Sequence, residues 1–328
     1  MPGNNALRFL PDVAVENCFQ PSRFIPGPMT NRDLTKPQSL PFNSTDQDLP
    51  TLSACIISYN EEHNIGDCID SVSWCDEVVV IDSFSEDHTV DIARSRGARV
   101  LQNPWPGHVA QKNHALDTAR SEWVLALDCD ERVTPTLRTS IQHVLASPRD
   151  VDGYYIARKI FYLGRWLDHG GWFPEWRLRL FRRTHGRWVG TDPHDTVRVN
   201  GETRRIIPSG RGTDAAVILH YSFRNLSHQL HVLDRYTEIQ SGELLRSGRR
   251  IKSMDLTVRP IWRFLRAYCL RLGFLDGAPG FHMAFNNAYA AYMKYARLWE
   301  LQRGFVKPRS KESVLPSGRE KKKKPTNS

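Results

Sequence analysis

The 328-residue sequence has no run approaching the roughly 18 uninterrupted apolar residues that a spanning helix needs. Residues 1–51 hold eight of the twenty prolines but no continuous apolar core of a signal peptide, so neither leader nor transmembrane anchor is read there. Cysteine is sparse and unpatterned: the six, at 18, 55, 68, 75, 129 and 269, form no C-x-x-C pair and no regular framework. A reducing, cytoplasmic setting fits, with Cys55, Cys129 and Cys269 expected as small core residues inside apolar stretches. Internal repeats are also missing.

What is present describes a globular protein. Apolar residues make up 40% and charged ones 25%, and the length suffices for one substantial core and a second, smaller region. Lys and Arg number 45 against 36 Asp and Glu, a net charge of +9 that points to an anionic partner. Nucleic acid, a nucleotide diphosphate and anionic lipid headgroups all qualify.

A regular alternation begins at Leu52, after a Pro-, Asn- and Ser-rich extension expected to be flexible. Strands are expected at 52–57, 77–82, 98–102 and 122–127, with helices near 61–74, 86–96 and 109–120 between them. This pattern predicts an α/β fold, a Rossmann-like, mostly parallel sheet with helices on both faces. Past Pro148 aromatics and arginines dominate, and Thr196–Ile207 is a hairpin candidate turning on Asn200-Gly201. The chain turns helical from about 225, and 307–328 is a basic tail, with lysines at 321–324, expected to be disordered.

The feature that carries chemistry is Asp128-Cys129-Asp130-Glu131, directly after the apolar run Trp123–Leu127. Such a run reads as a buried parallel strand, and carboxylates at its end face the crevice where open α/β sheets bind ligands. Two carboxylates one residue apart can hold a divalent cation, Mg or Mn, which neutralises a diphosphate; a solvated acidic turn is the bland alternative. The exits of the first two strands, Ser58-Tyr59-Asn60-Glu61-Glu62 and Asp82-Ser83-Phe84-Ser85-Glu86-Asp87, open on the same edge. Ser58, Tyr59, Asn60, Glu62, Asp82, Lys112 and Asp128 are therefore candidates for nucleotide-sugar binding, Lys112 for a phosphate. Helix caps and turns favour the same residue types, so Asp82 and Ser85 also read as turn residues.

These pieces, with Gln111-Lys112-Asn113-His114-Ala115-Leu116, resemble family 2 of the inverting glycosyltransferases over 52–132. Gly170-Gly171-Trp172-Phe173-Pro174-Glu175, Arg179–Arg183 and Phe274-Leu275-Asp276-Gly277 resemble the branch containing lipopolysaccharide core β-1,4-glucosyltransferases. The resemblance implies a GT-A fold, a nucleotide-diphosphate sugar donor such as a UDP-hexose, a divalent cation at Asp128 and Asp130, and single displacement with inversion. It implies a lipopolysaccharide core or other lipid-linked acceptor. Inversion needs a carboxylate to take the acceptor proton. Glu175, Glu where this branch more often has Asp, is the first candidate and Asp195 the second; Glu175 could instead pair with Arg177, Arg179 or another guanidinium. His220, ending an apolar run, is either a metal contact or a satisfied structural histidine. The expected organisation is 1–51 extension, 52–224 transferase domain (52–132 nucleotide-sugar half, 133–224 acceptor half), 225–306 helical region and 307–328 tail.

Two other classes compete. A sugar-nucleotide nucleotidyltransferase also uses metal-binding carboxylates, but the first strand leads into no glycine-rich phosphate loop. A basic nucleic-acid-binding protein suits the charge, but acidic groups at the sheet edge repel phosphates, so no nucleic-acid partner is expected. Over Val258–Leu272, Ile261, Leu265, Tyr268 and Leu272 share one helical face with Arg259, Arg263 and Arg266 opposite. Phe281, Phe285, Ala288, Tyr292, Tyr295 and Trp299 form a second stripe. Internal packing and an anionic membrane surface both fit these stripes, and the latter places a cytoplasmic enzyme peripherally on the inner face of a bacterial inner membrane.

Overall fold

The structure, a computed structural model, describes residues 50–306 except 148–149, 192–193, 211 and 224, with the side chains of 191 and 194 also outside the description. The tail over 307–328, and all but the last two residues of the expected extension, lie outside the described residues.

β-Branched runs open the ordered chain, and such side chains pack well on a pleated surface buried on both faces. They form β1 (Leu52–Ser58) and β2 (Glu77–Asp82), paired in parallel with Ser58 opposite Asp82. β3 (Arg99–Gln102) continues in parallel beyond β2, and β4 (Trp123–Asp128) pairs in parallel with the other side of β1. Helices α1 (Ile65–Ser71), α2 (Thr89–Ser95) and α3 (His108–Thr118) make the crossovers. The four strands match their expected bounds to within one residue.

Beyond β4 the sheet becomes mixed. β5 (Glu131–Val133), α4 (Pro135–Ala146), β6 (Gly153–Tyr162), β7 (Arg165–Trp166), β8 (Glu175–Arg182), β9 (Gly186–Thr191), β10 (His194–Val199), β11 (Thr203–Ile206) and β12 (Ile218–His220) follow, giving the order β3-β2-β1-β4-β8-β6-β12-β5. β8 is antiparallel to β4 and β6, while β12 is parallel to β6 and antiparallel to β5. Ile56, Ile69, Leu125 and Leu137 fill the core on one face, and Ile81, Leu116 and Phe181 fill it on the other. The molecule is thus α/β, with a mixed, mostly parallel sheet.

The expected hairpin at Asn200-Gly201 does not form. β10 pairs antiparallel with β9, and β11 joins β6 in parallel. A two-residue type I′ turn needs positive φ at both central residues, and only Gly201 has it. The backbone N–H of Asn200 instead donates to the carbonyl of His185 (2.9 Å), and that of Asp152 to the carbonyl of Glu202 (2.8 Å), which diverts the chain from one sheet to the other.

A helical region follows: α5 (Leu226–Arg246), α6 (Ser253–Leu256), α7 (Val258–Leu265) and α8 (Gly277–Arg303). Buried Leu244 of α5 packs on Tyr295 and Leu298 of α8. A buried trio of Tyr162, Gln229 and Asn286 hydrogen-bonds β6 to both helices. The helix expected over Val258–Leu272 is shorter: it ends at Leu265, widens into a π-helical turn over Arg266–Leu270 and reverses at Leu272, whose φ is +57°. The physical reason is a competing acceptor arrangement. The Arg271 carbonyl accepts from the Gly170 N–H (2.8 Å), and any side chain at Gly273 would meet the Ala267 carbonyl at 2.7 Å. Cys269 is exposed as a result, contrary to its expected core position, whereas Cys55 and Cys129 are buried.

Candidate active site

The carboxyl ends of β1, β2 and β4 open on one edge of the sheet, and the loops after β1 and β2 are hydrogen-bonded to one another. Buried Asp82 accepts from Ser58 Oγ (3.0 Å), from the Ser85 N–H (2.8 Å) and from Ser85 Oγ (2.5 Å). Asn60, at φ +52°, donates its N–H to Ser85 Oγ (2.9 Å) and accepts the Glu86 N–H on Oδ1 (2.8 Å). Glu62 donates its N–H to Asp87 and accepts that of His88, each at 3.1 Å. Four of the expected nucleotide-sugar residues thus tie the two loops together, Ser58 to Asp82 directly and Asn60 and Glu62 through residues 85–88, and Tyr59 is half-buried.

The opposite wall is a chain of eight alternating charges. Asp195 meets Lys112 Nζ at 2.8 Å, Lys112 meets Asp128 at 2.9 Å, and Asp128 meets Arg179 at 2.7 Å. Arg179 continues to Glu131 at 2.7 Å, Glu131 to Arg158 at 2.9 Å, Arg158 to Glu175 at 2.7 Å, and Glu175 to Arg177 at 2.6 Å. The strand register produces this: Arg158 of β6 lies opposite Glu175 of β8 and beside Ile218 of β12, while His220 lies opposite Glu131. Burial alone raises a carboxylate, but Lys112 and Arg179 override it and hold Asp128 well below the usual range. For Glu175 the same contest, won by Arg158 and then Arg177, ends at about 2. Lys112 is held up by Asp128 and Asp195 against its own burial, and Asp195 is held down by Lys112.

Glu175 pairs with guanidinium groups, as one expectation had it, through Arg158 and Arg177 and not Arg179. Lys112 bridges two carboxylates. Glu131 and Arg158 had no role from sequence, although a signal for each exists. Glu131 completes the acidic motif, and Arg158, which with Lys159 interrupts the aromatic and aliphatic run Tyr154–Tyr162, demands a buried partner.

Asp130 stands apart from the chain of pairs. Its Oδ2 lies 3.1 Å from His220 Nε2, and Ser222 Oγ lies 2.7 Å from His220 Nδ1. Burial raises Asp130 and His220 lowers it, with a lowered carboxyl as the outcome. Asp128, Asp130 and His220 do not form one donor set, and among the described residues no group of three or more His, Cys, Asp or Glu is arranged to hold a metal. Both oxygens of Asp128 face cations, whereas Asp130 and His220 offer an adjacent carboxylate and imidazole, a mixed donor pair that suits Mn, with Mg limited to the Asp130 oxygens and those of a diphosphate.

The loop leading into β8 is anchored from far along the chain. Buried Asp276 accepts the backbone N–H of Asp168 (3.2 Å) and His169 (2.8 Å), and its other oxygen lies 2.9 Å from His169 Nδ1. The motif Phe274–Gly277 thus holds, through Asp276, the two residues that lead into Gly170–Glu175.

The model of the family Glycosyl transferase family 2 matches residues 53–205. An uncharacterised glycosyltransferase of Rickettsia typhi is 30% identical over 261 residues, 76% of this chain and 87% of that protein. The lipopolysaccharide core biosynthesis glycosyltransferase LpsC of Rhizobium meliloti is 30% identical over 265 residues, 75% of this chain and 93% of that protein. Among solved structures, glucosyl-3-phosphoglycerate synthase of Mycobacterium tuberculosis in complex with Mn2+, UDP and phosphoglyceric acid is 28% identical, with a TM-score of 0.29 over 35% of this chain and 44% of that one. In that match the chain spans less than half of the solved protein. With the family model and 30% identity to the two bacterial glycosyltransferases over about three quarters of its length, the chain belongs to glycosyltransferase family 2.

Proposed function

We propose that this glycosyltransferase moves a hexose, with inversion, from a UDP-sugar to a lipopolysaccharide core or other lipid-linked acceptor, and that it works with Mg or Mn. The observation that carries the proposal is the charge balance of the crevice. The four carboxylates and four cations of the chain from Asp195 to Arg177 cancel, while among the described pairs Asp130 faces only the imidazole of His220, and Asp82 only hydroxyl, amide and backbone donors. A diphosphate entering a balanced site needs added positive charge, and Asp130 and His220 are the residues that would hold a divalent cation there. When bound, such an ion neutralises the diphosphate leaving group.

The chain's own residues supply the remainder. Ser58, Tyr59, Asn60, Glu62 and Asp82 shape the floor for the nucleoside, and Lys112 and Asp128 lie where the sugar diphosphate enters. Glu175, ionised at neutral pH, takes the acceptor proton as the acceptor oxygen attacks the anomeric carbon. Its two arginines also weaken it as a base, and that strength returns as the diphosphate draws a guanidinium away. Asp195 is the second candidate for this step. The similarity to LpsC supports the acceptor class, and an enzyme acting on such an acceptor would work in the cytoplasm, peripherally on the inner face of a bacterial inner membrane.

A thermal-shift screen of nucleotide sugars tests this. At ligand near a hundred times its Kd, stabilisation of about 2.7 kcal/mol raises the midpoint by roughly 5–10 °C. A UDP-sugar with Mn should do so in the wild type, and chelation or Asp130→Ala should remove the Mn-dependent part. A shift that survives both would take the cation away from Asp130.

A further inference from the structure

Five aromatic rings join α7, the turn after it and α8 into one patch outside the described core clusters. Phe264 lies 5.3 Å from Tyr268 and 5.7 Å from Phe281, Tyr268 lies 6.2 Å from Phe274, and Phe281 lies 6.4 Å from Phe285. Of these rings Phe285 is 54% exposed, and Ile261 and Trp262 of α7 are 62% and 53% exposed. A contiguous apolar patch of this kind marks an interaction site more often than free surface. Of the sequence-predicted stripe on α8, Tyr295 turns inward and is buried, while Phe281, Phe285, Tyr292 and Trp299 are exposed.

The surrounding charge is of one sign. Residues 249–275 contain seven Lys or Arg and one acid, Asp255. The arginines do not all face outward as the helical pattern suggested: Arg259 pairs with buried Asp255 at 2.7 Å. Exposed basic groups stand instead at the flanks, Arg250 and Lys252 before α6 and Arg165 at the β6–β7 turn, where its Nη2 donates to the Leu275 carbonyl (3.2 Å).

We infer that this face seats on an anionic bilayer, with Ile261, Trp262, Phe274 and Phe285 at the acyl boundary and Arg165, Arg250 and Lys252 at the headgroups. A second copy of the chain is the poorer occupant, because a two-fold contact sets the same basic rim against itself. No helix of the described residues is long and apolar enough to cross a membrane, so the face lies on the surface. The docking face and the reaction site are linked: the turn that presents Phe274 and Leu275 outward holds, through Asp276, the start of the loop that ends at Glu175. Seating therefore fixes the height and direction of the crevice above the headgroups. This rests on the lipid-linked acceptor proposal and specifies where that acceptor is met.

The test is flotation of the full chain with phosphatidylcholine vesicles, with and without phosphatidylglycerol, beside UDP–Mn thermal shifts and sedimentation. The wild type should float with phosphatidylglycerol and detach in high salt. Ile261→Glu, Trp262→Glu and Phe285→Glu together should abolish flotation. Arg250→Glu with Lys252→Glu, both at exposed positions, should weaken it by at least about fivefold per lost charge. A wild type that stays at the bottom overturns the inference, as does a triple variant that floats unchanged. A wild-type dimer split by the triple variant, without flotation, assigns the face to a second copy and equally overturns it. An intact UDP–Mn shift in any of these cases leaves the transferase assignment standing.

Discussion

Arg158→Met should destabilise the fold by about 3 kcal/mol at neutral pH, and most of that loss should vanish when Glu175→Gln is added. Arg158 stands between Glu131 (2.9 Å) and Glu175 (2.7 Å); methionine keeps much of the volume and none of the charge. Burial by itself raises Glu175, yet Arg158 first and Arg177 second bring it from 4.5 to about 2. At about 1.4 kcal/mol per unit this is about 3 kcal/mol of preference for the ionised native form, at the lower edge of the roughly 3–5 kcal/mol seen when one partner of a buried pair is removed. The sign follows from the folded value lying below the unfolded one. The stability is fully present above about 4.5 and is lost as pH falls towards about 2. In Arg158→Met burial outweighs the remaining arginine and the folded value moves up, so acid removes less from the variant and its deficit narrows. Urea titrations followed by tryptophan fluorescence, near pH 7 and near pH 4, measure both effects. A deficit under about 1 kcal/mol, or one unchanged by Glu175→Gln in the double-mutant cycle, would refute the coupling.

Glu175→Gln should keep the UDP–Mn thermal shift and lower turnover about a hundredfold; if Asp195→Asn does this and Glu175→Gln does not, the proton-accepting role belongs to Asp195. Asp276→Ala removes the acceptor of the Asp168 and His169 N–H groups, so amide exchange over 168–174 should speed up while UDP binding is unchanged. Wild-type protection in that variant would show the loop to be held by other contacts.

The half of the fold over residues 52–132 is legible in the sequence because its strands are short, apolar and bounded by turn residues. Periodicity of that kind survives any tertiary context. Asn200-Gly201 misleads for the opposite reason: the dipeptide permits a tight hairpin, but the backbone contacts with Asp152 and His185 decide where the chain goes. The helix over Val258–Leu272 shows a continuous face in sequence, and nothing local announces that the Arg271 carbonyl is claimed by Gly170, about a hundred positions earlier. Within the site, Asp128, Asp130 and Lys112 stand out by motif. The arginines beside them do not, because Arg179 reaches Asp128, and Arg158 reaches Glu131, across strand register, and register is set by the sheet as a whole. Asp82 is legible as a polar strand end, while its saturation by Ser58 and Ser85 appears only when the two loops meet.

The family match ends at residue 205, yet His220 and Asp276 come from beyond it. The centre is therefore not a portable cassette. A recombination exchanging residues 53–205 alone would pair an incoming Asp130 with a foreign imidazole and leave the incoming Asp168–Glu175 loop over a foreign carboxylate. The segments before and after residue 205 are consequently fitted to one another, and a change in either has to be made against the other.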